Sequence, residues 1–198
     1  MKLVLASANA GKQREFAALL APLGIELLLQ SALGIDSVEE TGTTFEANAL
    51  LKARHAASCA GRPALADDSG LVVDALDGRP GVWSARFAGA GASDADNNAQ
   101  LLSQLAGVPR ERRGARFRCI LALVRSSDDA RPLLASGSWE GSIALRPAGA
   151  GGFGYDPLFI PAGQQLTAAE LPAAQKNALS HRARALAALL AQLERGAL

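Results

Sequence analysis

Residues 2–12, which read KLVLASANAGK, decide how the fold begins. Their first half is short and largely apolar, which predicts a buried strand. Asn9 then stands where a helix N-cap belongs, and apolar residues recur at helical spacing as far as Leu23. Gly24 is placed to end that helix, because glycine readily takes the left-handed conformation of a helix end. The segment therefore predicts a strand, a short loop and a helix.

The rest of the chain alternates strands and helices until two strands follow each other. We predict strands at residues 25–29, 64–66, 71–73, 117–124 and 133–139, and helices at about 44–60, 93–105, a short stretch from 167, and from 180 onward. A turn at residues 67–70 is expected to separate the third strand from the fourth, and the last two strands are expected to pair antiparallel. This order predicts an α/β fold with a mixed sheet, in a single domain over residues 1–198.

The composition limits the classes of ligand and location. The formal net charge is only +1, so the chain lacks the basic field of a nucleic-acid binder, and we expect a small anionic ligand instead. No apolar run approaches the roughly 20 residues of a membrane span, which predicts a cytoplasmic protein with no membrane partner. Cys59 and Cys119 lie in apolar stretches without nearby ligand partners, so we expect two buried free thiols and no zinc site.

The first candidate site is the loop before the first helix. Free backbone N–H groups and the helix dipole favour an anion at such a position, and Lys12 adds a positive charge. The loop lacks the spacing of a Walker phosphate loop, and an ordinary capped helix with a surface lysine is the alternative. The candidate binding residues are Ser7, Ala8, Asn9, Ala10, Gly11 and Lys12.

The second candidate site consists of acidic residues. Asp67 and Asp68 follow an apolar run, where carboxylates are costly unless they are paired, solvated or bound to a cation. Neighbouring residues of an extended chain point to opposite faces, so at most one of the two is expected to face a ligand directly. Glu40, in another acidic turn, could join it around a hard cation such as Mg²⁺. An exposed turn without a ligand is the alternative reading of residues 67–70.

The third candidate site is the glycine-rich stretch 151–157. Phe153 stands between glycines, which allows its ring to be exposed for stacking on a base, and Asp156 could accept hydrogen bonds from a base edge. Gly154 and Tyr155 complete the candidate loop. A tight turn that contains two core aromatic residues is the alternative.

The fourth candidate site lies near the last helix. His181 and Arg182 fall in its first turn, where the helix dipole disfavours cations, and this mismatch indicates a ligand or an acidic partner. Lys52 and Lys176 carry no signal on their own. Together with Lys12, Glu40 and Asp68, however, these lysines form an inventory that suits phosphoryl chemistry, in which the protein positions charge and a metal neutralises it.

The combination and order of these motifs resemble the inosine triphosphatase family, the pyrophosphatases of non-standard purine nucleoside triphosphates. The resemblance covers nearly the whole chain, from Leu3 to about Leu193. The motifs that carry it are Ser7-x-Asn9-x-x-Lys12, Glu39-Glu40-Thr41-Gly42, Ala66-Asp67-Asp68-Ser69-Gly70, Gly152-Phe153-Gly154-Tyr155-Asp156-Pro157 and Ser180-His181-Arg182.

The resemblance implies a fold and a reaction. The implied fold is an elongated mixed sheet flanked by helices, with two lobes around a central substrate cleft, in a cytoplasmic homodimer. The implied reaction is Mg²⁺-dependent hydrolysis of ITP, dITP or XTP to the monophosphate and pyrophosphate. Asp68 is implied to be the general base and, with Glu40, to hold the metal while water attacks the α-phosphorus.

The resemblance also implies roles for the remaining candidates. Residues 7–12, Lys52, Ser69 and Lys176 would surround the triphosphate. Phe153 would stack on the base, and the residues implied to read its 6-oxo edge are Asp156, His181 and Arg182.

The chain departs from the family pattern at two positions. Ala47 stands where the family often has an acid, and Ala8 stands where glycine is common. An enzyme for modified pyrimidine nucleotides and a nucleotide-binding regulatory module without catalysis are the rival functions. The acids Glu40 and Asp68 count against the second rival, because a pure anion binder has little reason to add negative charge.

Overall fold

The computed structural model describes residues 2–195, which contain six strands and five α-helices. In chain order these are β1 (Lys2–Ala6), α1 (Ala10–Leu20), β2 (Glu26–Leu29), α2 (Phe45–Ala60), β3 (Ala64–Val73), α3 (Asp94–Gln104), β4 (Gly114–Val124), β5 (Leu133–Ile143), β6 (Phe159–Pro161), α4 (Ala173–Leu179) and α5 (His181–Glu194). The strands form one sheet in the order β2-β1-β3-β4-β5-β6.

The sheet is mixed, as the order of the elements predicts. Strand β1 pairs in parallel with β2 and with β3, and β5 pairs antiparallel with β6. A parallel pair requires a crossover connection, and helix α1 lies in the one that joins β1 to β2. The consecutive strands β4 and β5 are neighbours in the sheet. The predicted α/β fold with a mixed sheet and flanking helices is therefore confirmed.

The chain divides into two compact units, each with its own apolar core. The first unit comprises residues 2–68, 119–137 and 182–195, and its core includes Phe16, Leu65 and Leu186. The second unit comprises residues 69–118 and 138–181. Its core includes Leu101, Trp139 and Phe159, whose large side chains are buried among apolar neighbours.

Local helix-end chemistry follows the sequence closely. The side chain of Asn9 accepts a hydrogen bond from the backbone of Lys12 at 3.0 Å, which confirms it as the N-cap of α1. Ser93 caps α3 within a reciprocal capping box with Asp96. Gly24 follows a single 3₁₀ turn after α1, and its φ of 65° is the left-handed conformation expected at a helix end.

The predicted turn at residues 67–70 is wrong. Strand β3 runs without interruption from Ala64 to Val73, and Asp67 and Asp68 are buried within it. A buried extended backbone tolerates these carboxylates because Lys12 and Lys52 lie against them. The alternative of an exposed turn without partners is therefore excluded.

The predicted helix from residue 167 is also wrong. The backbone and hydroxyl of Thr167 both bond to the Glu170 carboxylate, so the capping hydrogen bonds form around a single turn. The helix starts only at Ala173, because the residue before Pro172 is disfavoured in the helical conformation.

Two further expectations have clear outcomes. Cys119 is buried as predicted, but Cys59 is exposed on α2, so its predicted burial is wrong. None of the helices within residues 2–195 combines the length and the apolar character that a membrane span requires.

Candidate active site

The loop between β1 and α1 is a helix N-terminus built around Ser7 and Asn9. Ser7 is buried, its hydroxyl accepts a hydrogen bond from the Asn9 backbone, and its carbonyl accepts one from the Gln13 side chain at 2.7 Å. Residues 8–10 are exposed. The loop thus presents the exposed peptide groups of a helix start, which suits an anion.

Lys12 extends from this loop to the first buried carboxylate. Its Nζ lies 2.8 Å from Oδ2 of Asp67, and Arg182 Nε lies 3.7 Å from the same oxygen. Burial alone would raise the pKa of Asp67, but Lys12 and Arg182 hold that pKa well below its usual range. Asp67 is therefore an ionised carboxylate that fixes two cations.

Arg182 has a second acidic partner within the first unit. Its Nη1 donates to Oε2 of Glu15 at 2.7 Å, and both side chains are almost fully buried. Arg182, a cation in a first helical turn where the helix dipole disfavours positive charge, therefore has acidic partners. Glu15 itself was missed in the sequence because it sits on α1 as one more charged residue of a helix.

Glu40 and Asp68 converge on the ammonium group of Lys52. Nζ of Lys52 lies 2.6 Å from Oε1 of Glu40 and 3.2 Å from Oδ1 of Asp68. Burial, together with the charge of Glu40, raises the pKa of Asp68 despite the opposing charge of Lys52. The pKa of Lys52 is raised as well, because Asp67, Asp68 and Glu40 outweigh the effect of its burial. Two carboxylates thus face one cation.

Asn48 completes the surroundings of Asp68. Its amide nitrogen donates to Oδ2 of Asp68 at 3.2 Å, and its amide oxygen accepts from the backbone of Gly42 at 2.8 Å. A Cβ on Gly42 would lie 2.6 Å from that amide oxygen, so glycine is required for the approach. The sequence signal for Asn48 was a polar residue on the apolar face of α2, one helical turn before Lys52.

The donors of the first unit fit a hard divalent cation that takes its other ligands from a substrate. Residues 2–195 contain no cluster of three metal-binding side chains of the His, Cys, Asp or Glu type. Mg²⁺ is nevertheless commonly held by one or two carboxylates together with water and substrate phosphates. Glu40 and Asp68 already converge on a positively charged group, which is the arrangement that such a cation needs.

The glycine-rich loop of the second unit is organised by Asp156. Its Oδ2 accepts hydrogen bonds from the backbone of Phe153 at 2.8 Å and from Nζ of Lys176 at 2.6 Å. The same ammonium lies 4.9 Å from the centre of the Phe153 ring. A Cβ on Gly152, whose φ is 74°, would collide with the Asp156 carboxylate. The loop is therefore a rigid turn that carries an aromatic ring.

Tyr155 and His181 are both anchored in the second unit. The Tyr155 hydroxyl donates to the carbonyl of Ser84 at 2.8 Å, and burial raises the pKa of this tyrosine, with a further contribution from Asp94. The ring of His181 stacks on Phe117 with 4.9 Å between the ring centres. Tyr155 thus packs in the core, as the alternative reading of the loop expected for it.

The candidate residues are divided between the two units. The group in the first unit is Ser7, Ala8, Asn9, Ala10, Gly11, Lys12, Glu40, Lys52, Asp68 and Arg182. The group in the second unit is Ser69, Phe153, Gly154, Tyr155, Asp156, Lys176 and His181. Within the second unit, Lys176 contacts Asp156 and Phe153.

Comparisons with known proteins agree on one family. The family model described as "Ham1 family" matches residues 3–192. A protein from Xanthomonas oryzae pv. oryzae named dITP/XTP pyrophosphatase is 57% identical over 187 residues, which are 94% of this chain and 94% of that protein. One of the same name from Methylococcus capsulatus is 57% identical over 192 residues, or 97% of this chain and 96% of that protein.

A solved structure shows the same fold. The structure of a HAM1 protein from Coxiella burnetii superposes with a TM-score of 0.89 at 46% sequence identity, covering 99% of this chain and all of that one. The chain therefore shares the fold of that HAM1 protein over nearly its whole length. The chain belongs to the Ham1 family.

Proposed function

We propose that this protein hydrolyses non-standard purine nucleoside triphosphates, namely dITP, ITP and XTP, to the monophosphate and pyrophosphate. The relatives from Xanthomonas and Methylococcus are named for dITP and XTP, and they match nearly the full chain. The observation that carries the proposal is the convergence of Glu40 and Asp68 on Lys52. A partly buried, charge-dense group of this kind suits phosphoryl chemistry, in which the protein positions and neutralises charge.

The triphosphate would be bound by cations and backbone donors of the first unit. The exposed start of α1 offers N–H groups, and Lys12 and Lys52 supply positive charge. Both lysines are held by buried carboxylates, at 2.8 Å and 3.2 Å respectively, so their ammonium groups are ordered before any ligand binds. Ser69 and Lys176 would add contacts to the phosphates, as the resemblance implies.

We further propose that the metal is Mg²⁺ and that Glu40 and Asp68 hold it. Their two carboxylates match the small number of protein ligands that Mg²⁺ takes when phosphates and water supply the rest. When bound, this ion would neutralise charge on the phosphates and on the leaving pyrophosphate.

Asp68 would act as the general base. Asn48 and Lys52 each bind one of its oxygens, so the direction of the carboxylate is fixed. Burial raises its pKa, which makes it a better proton acceptor than an exposed aspartate. The carboxylate would take a proton from water as that water attacks the α-phosphorus, and pyrophosphate would leave.

The purine base would be recognised by the residues to which the resemblance assigns that role. Phe153 would stack on the purine, while Asp156, His181 and Arg182 would read its 6-oxo edge. A 6-oxo purine presents an acceptor and an N1–H group where adenine presents an amino group and a bare nitrogen. A site that offers a donor to the 6-oxygen therefore rejects adenine, and mismatches of this kind can discriminate by several orders of magnitude.

The resemblance also supports a homodimer that works in the cytoplasm on a small-molecule substrate. The net charge of +1 gives no support to a nucleic-acid partner. Sedimentation of the purified protein tests the dimer, which is expected at about twice the chain mass of 20.4 kDa.

A nucleotide panel tests the proposed function. The protein is incubated with dITP, XTP, dATP, dGTP and dUTP, with and without Mg²⁺, and monophosphate and pyrophosphate are quantified. We expect rapid, Mg²⁺-dependent release of pyrophosphate from dITP and XTP and little from the other three. Preferred turnover of dUTP, release of single phosphate, or tight binding of dITP without turnover would each overturn the proposal.

A further inference from the structure

Helix α3 holds the backbone of the glycine-rich loop, residues 151–157, from one side. Oδ2 of Asp94 accepts a hydrogen bond from the Gly154 N–H at 2.6 Å, and the Asn98 amide nitrogen donates to the Gly154 carbonyl at 2.8 Å. Both backbone polar groups of Gly154 are thus bound by two side chains of one helix. We name Asp94 and Asn98 the α3 clamp.

The two clamp residues lie where helix geometry makes them effective. They are four residues apart, so they share one face of α3. Asp94 is the first residue of the helix, where the dipole favours a carboxylate. The Asn98 amide also donates to the carbonyl of Asp94 at 2.7 Å, which fixes its orientation. The clamp is therefore ordered by its own helix.

The clamp works together with Asp156 on consecutive peptide groups. The N–H of Phe153 bonds to Asp156 at 2.8 Å, and the next N–H, that of Gly154, bonds to Asp94. Gly154 has a φ of 61°, a left-handed conformation that glycine adopts at little cost. Two carboxylates from separate segments thus determine where the Phe153 ring stands.

We propose that Asp94 and Asn98 are positioning residues that set the specificity of base recognition, an inference that rests on the proposed function. In this role they act through the backbone of Gly154. They hold the peptide groups on which the stacking ring is mounted, so the distance between ring and base depends on them. Their loss lets the ring move, which weakens binding that depends on the base and leaves binding of the triphosphate unaffected.

The helix contains a matched control for a merely structural role. Asp96 is exposed on the same first turn, and its hydrogen bonds are those of the capping box with Ser93. Asp96→Ala therefore weakens the start of α3 without removing a bond to Gly154. Asp94 itself is exposed on the surface, so the Asp94→Ala variant is expected to fold.

The experiment compares Asp94→Ala, Asn98→Leu and Asp96→Ala with the wild type. For each protein, kcat and KM are measured with dITP and dATP, together with inhibition by inorganic tripolyphosphate, which has no base. We expect the clamp variants to raise KM for dITP about tenfold with little change in kcat, and to lower the dITP-to-dATP ratio of kcat/KM. Inhibition by tripolyphosphate should stay unchanged. Asp94→Asn, which keeps an acceptor oxygen, should restore most of the ratio.

The outcomes separate this inference from the proposed function. If the wild type turns over dITP but Asp94→Ala keeps its substrate ratio, or loses no more than Asp96→Ala, the positioning role is wrong while the function stands. A parallel loss of tripolyphosphate inhibition would likewise overturn it, because the effect would not be specific to the base. If the wild type does not hydrolyse dITP, the proposed function fails and the inference fails with it.

Discussion

The two units position their functional groups with a different balance of contacts. In the first unit, ion pairs predominate: Lys52 is placed by Glu40 and Asp68, and Lys12 by Asp67. In the second unit, the ion pair of Asp156 with Lys176 is joined by side chains that bind backbone, and these hold the peptide groups of the Phe153 loop. The cation of an ion pair can exchange its protein carboxylate for a charged group of a ligand, whereas a backbone held by hydrogen bonds keeps its conformation. The first arrangement therefore suits a charged substrate whose charge changes during the reaction, and the second suits recognition of a ligand by its shape.

Replacing the proposed general base, Asp68, is expected to have the largest effect. Asp68→Asn keeps the size of the side chain but removes the proton acceptor and one carboxylate ligand. We expect kcat for dITP to fall by roughly 10²- to 10⁴-fold. Steady-state kinetics measure the loss, and thermal unfolding shows whether the fold is retained. Turnover at the wild-type rate would show that Asp68 is not the general base.

Removing Lys12, one of the proposed phosphate-binding cations, should have the next largest effect. Lys12→Ala leaves Asp67 without its 2.8 Å partner and removes a charge from the start of α1. We expect kcat/KM for dITP to fall by roughly 10- to 100-fold, the amount that a charged hydrogen bond contributes.

Lys2 provides the matched control for this charge. Its ion pair with Glu26 is 3.3 Å long and both side chains are more than half exposed, so Lys2→Ala should leave kcat/KM unchanged. Equal losses in the two variants would mean that overall charge, and not the α1 site, is responsible.

Asn48 offers a test through pH. The pKa of Asp68 is already raised by burial and by Glu40, and a second carboxylate at position 48 would disfavour its ionised form further. A base must be ionised to accept a proton, so the acidic limb of the kcat/KM profile should move to higher pH in Asn48→Asp, by about one unit. Asn48→Ala, which adds no charge, serves as control. An acidic limb that does not move would show that residue 48 does not influence the ionisation of the proposed general base, Asp68.

The smallest effect on turnover is expected at Asp129, which has no proposed role in binding or catalysis. Hydrogen bonds from the Arg125 side chain and backbone hold the pKa of Asp129 well below its usual range. The depressed pKa stabilises the fold above the ordinary aspartate value of about 4, and this contribution is lost as the pH falls below it.

Asp129→Asn tests that contribution by thermal unfolding across the acidic range. At neutral pH we expect Tm to fall by about 2–4 °C for each kcal/mol lost, with dITP turnover unchanged. The difference from the wild type should shrink below pH 4. A difference that grows on acidification would contradict the assigned ionisation.

Local features of this fold were predictable, and features that depend on distant partners were not. The caps Asn9 and Ser93 involve neighbours within three residues, so the sequence alone indicates them. The continuity of β3 through Asp67 and Asp68 depends on lysines from other segments, which no local pattern shows. Local rules therefore favoured a turn where tertiary contacts produce a strand.

The same distinction between local features and distant partners applies to the candidate site. The acids and the aromatic loop stand out in sequence because their residue types are unusual at those positions. The supporting residues do not, because Asn48 and Asn98 look like ordinary polar residues of helices until their partners are known. Lys176 shows the limit most clearly, since its partner Asp156 lies 20 residues away in the chain and only the structure pairs them.

The position of water attack tests the central claim most directly. Hydrolysis of dITP in water enriched in oxygen-18 places the isotope in whichever product contains the attacked phosphorus, and mass spectrometry of both products reads it. Attack at the α-phosphorus, which we predict, puts the label in dIMP and leaves pyrophosphate unlabelled. Label in the pyrophosphate, or dIDP and phosphate as products, would contradict the account.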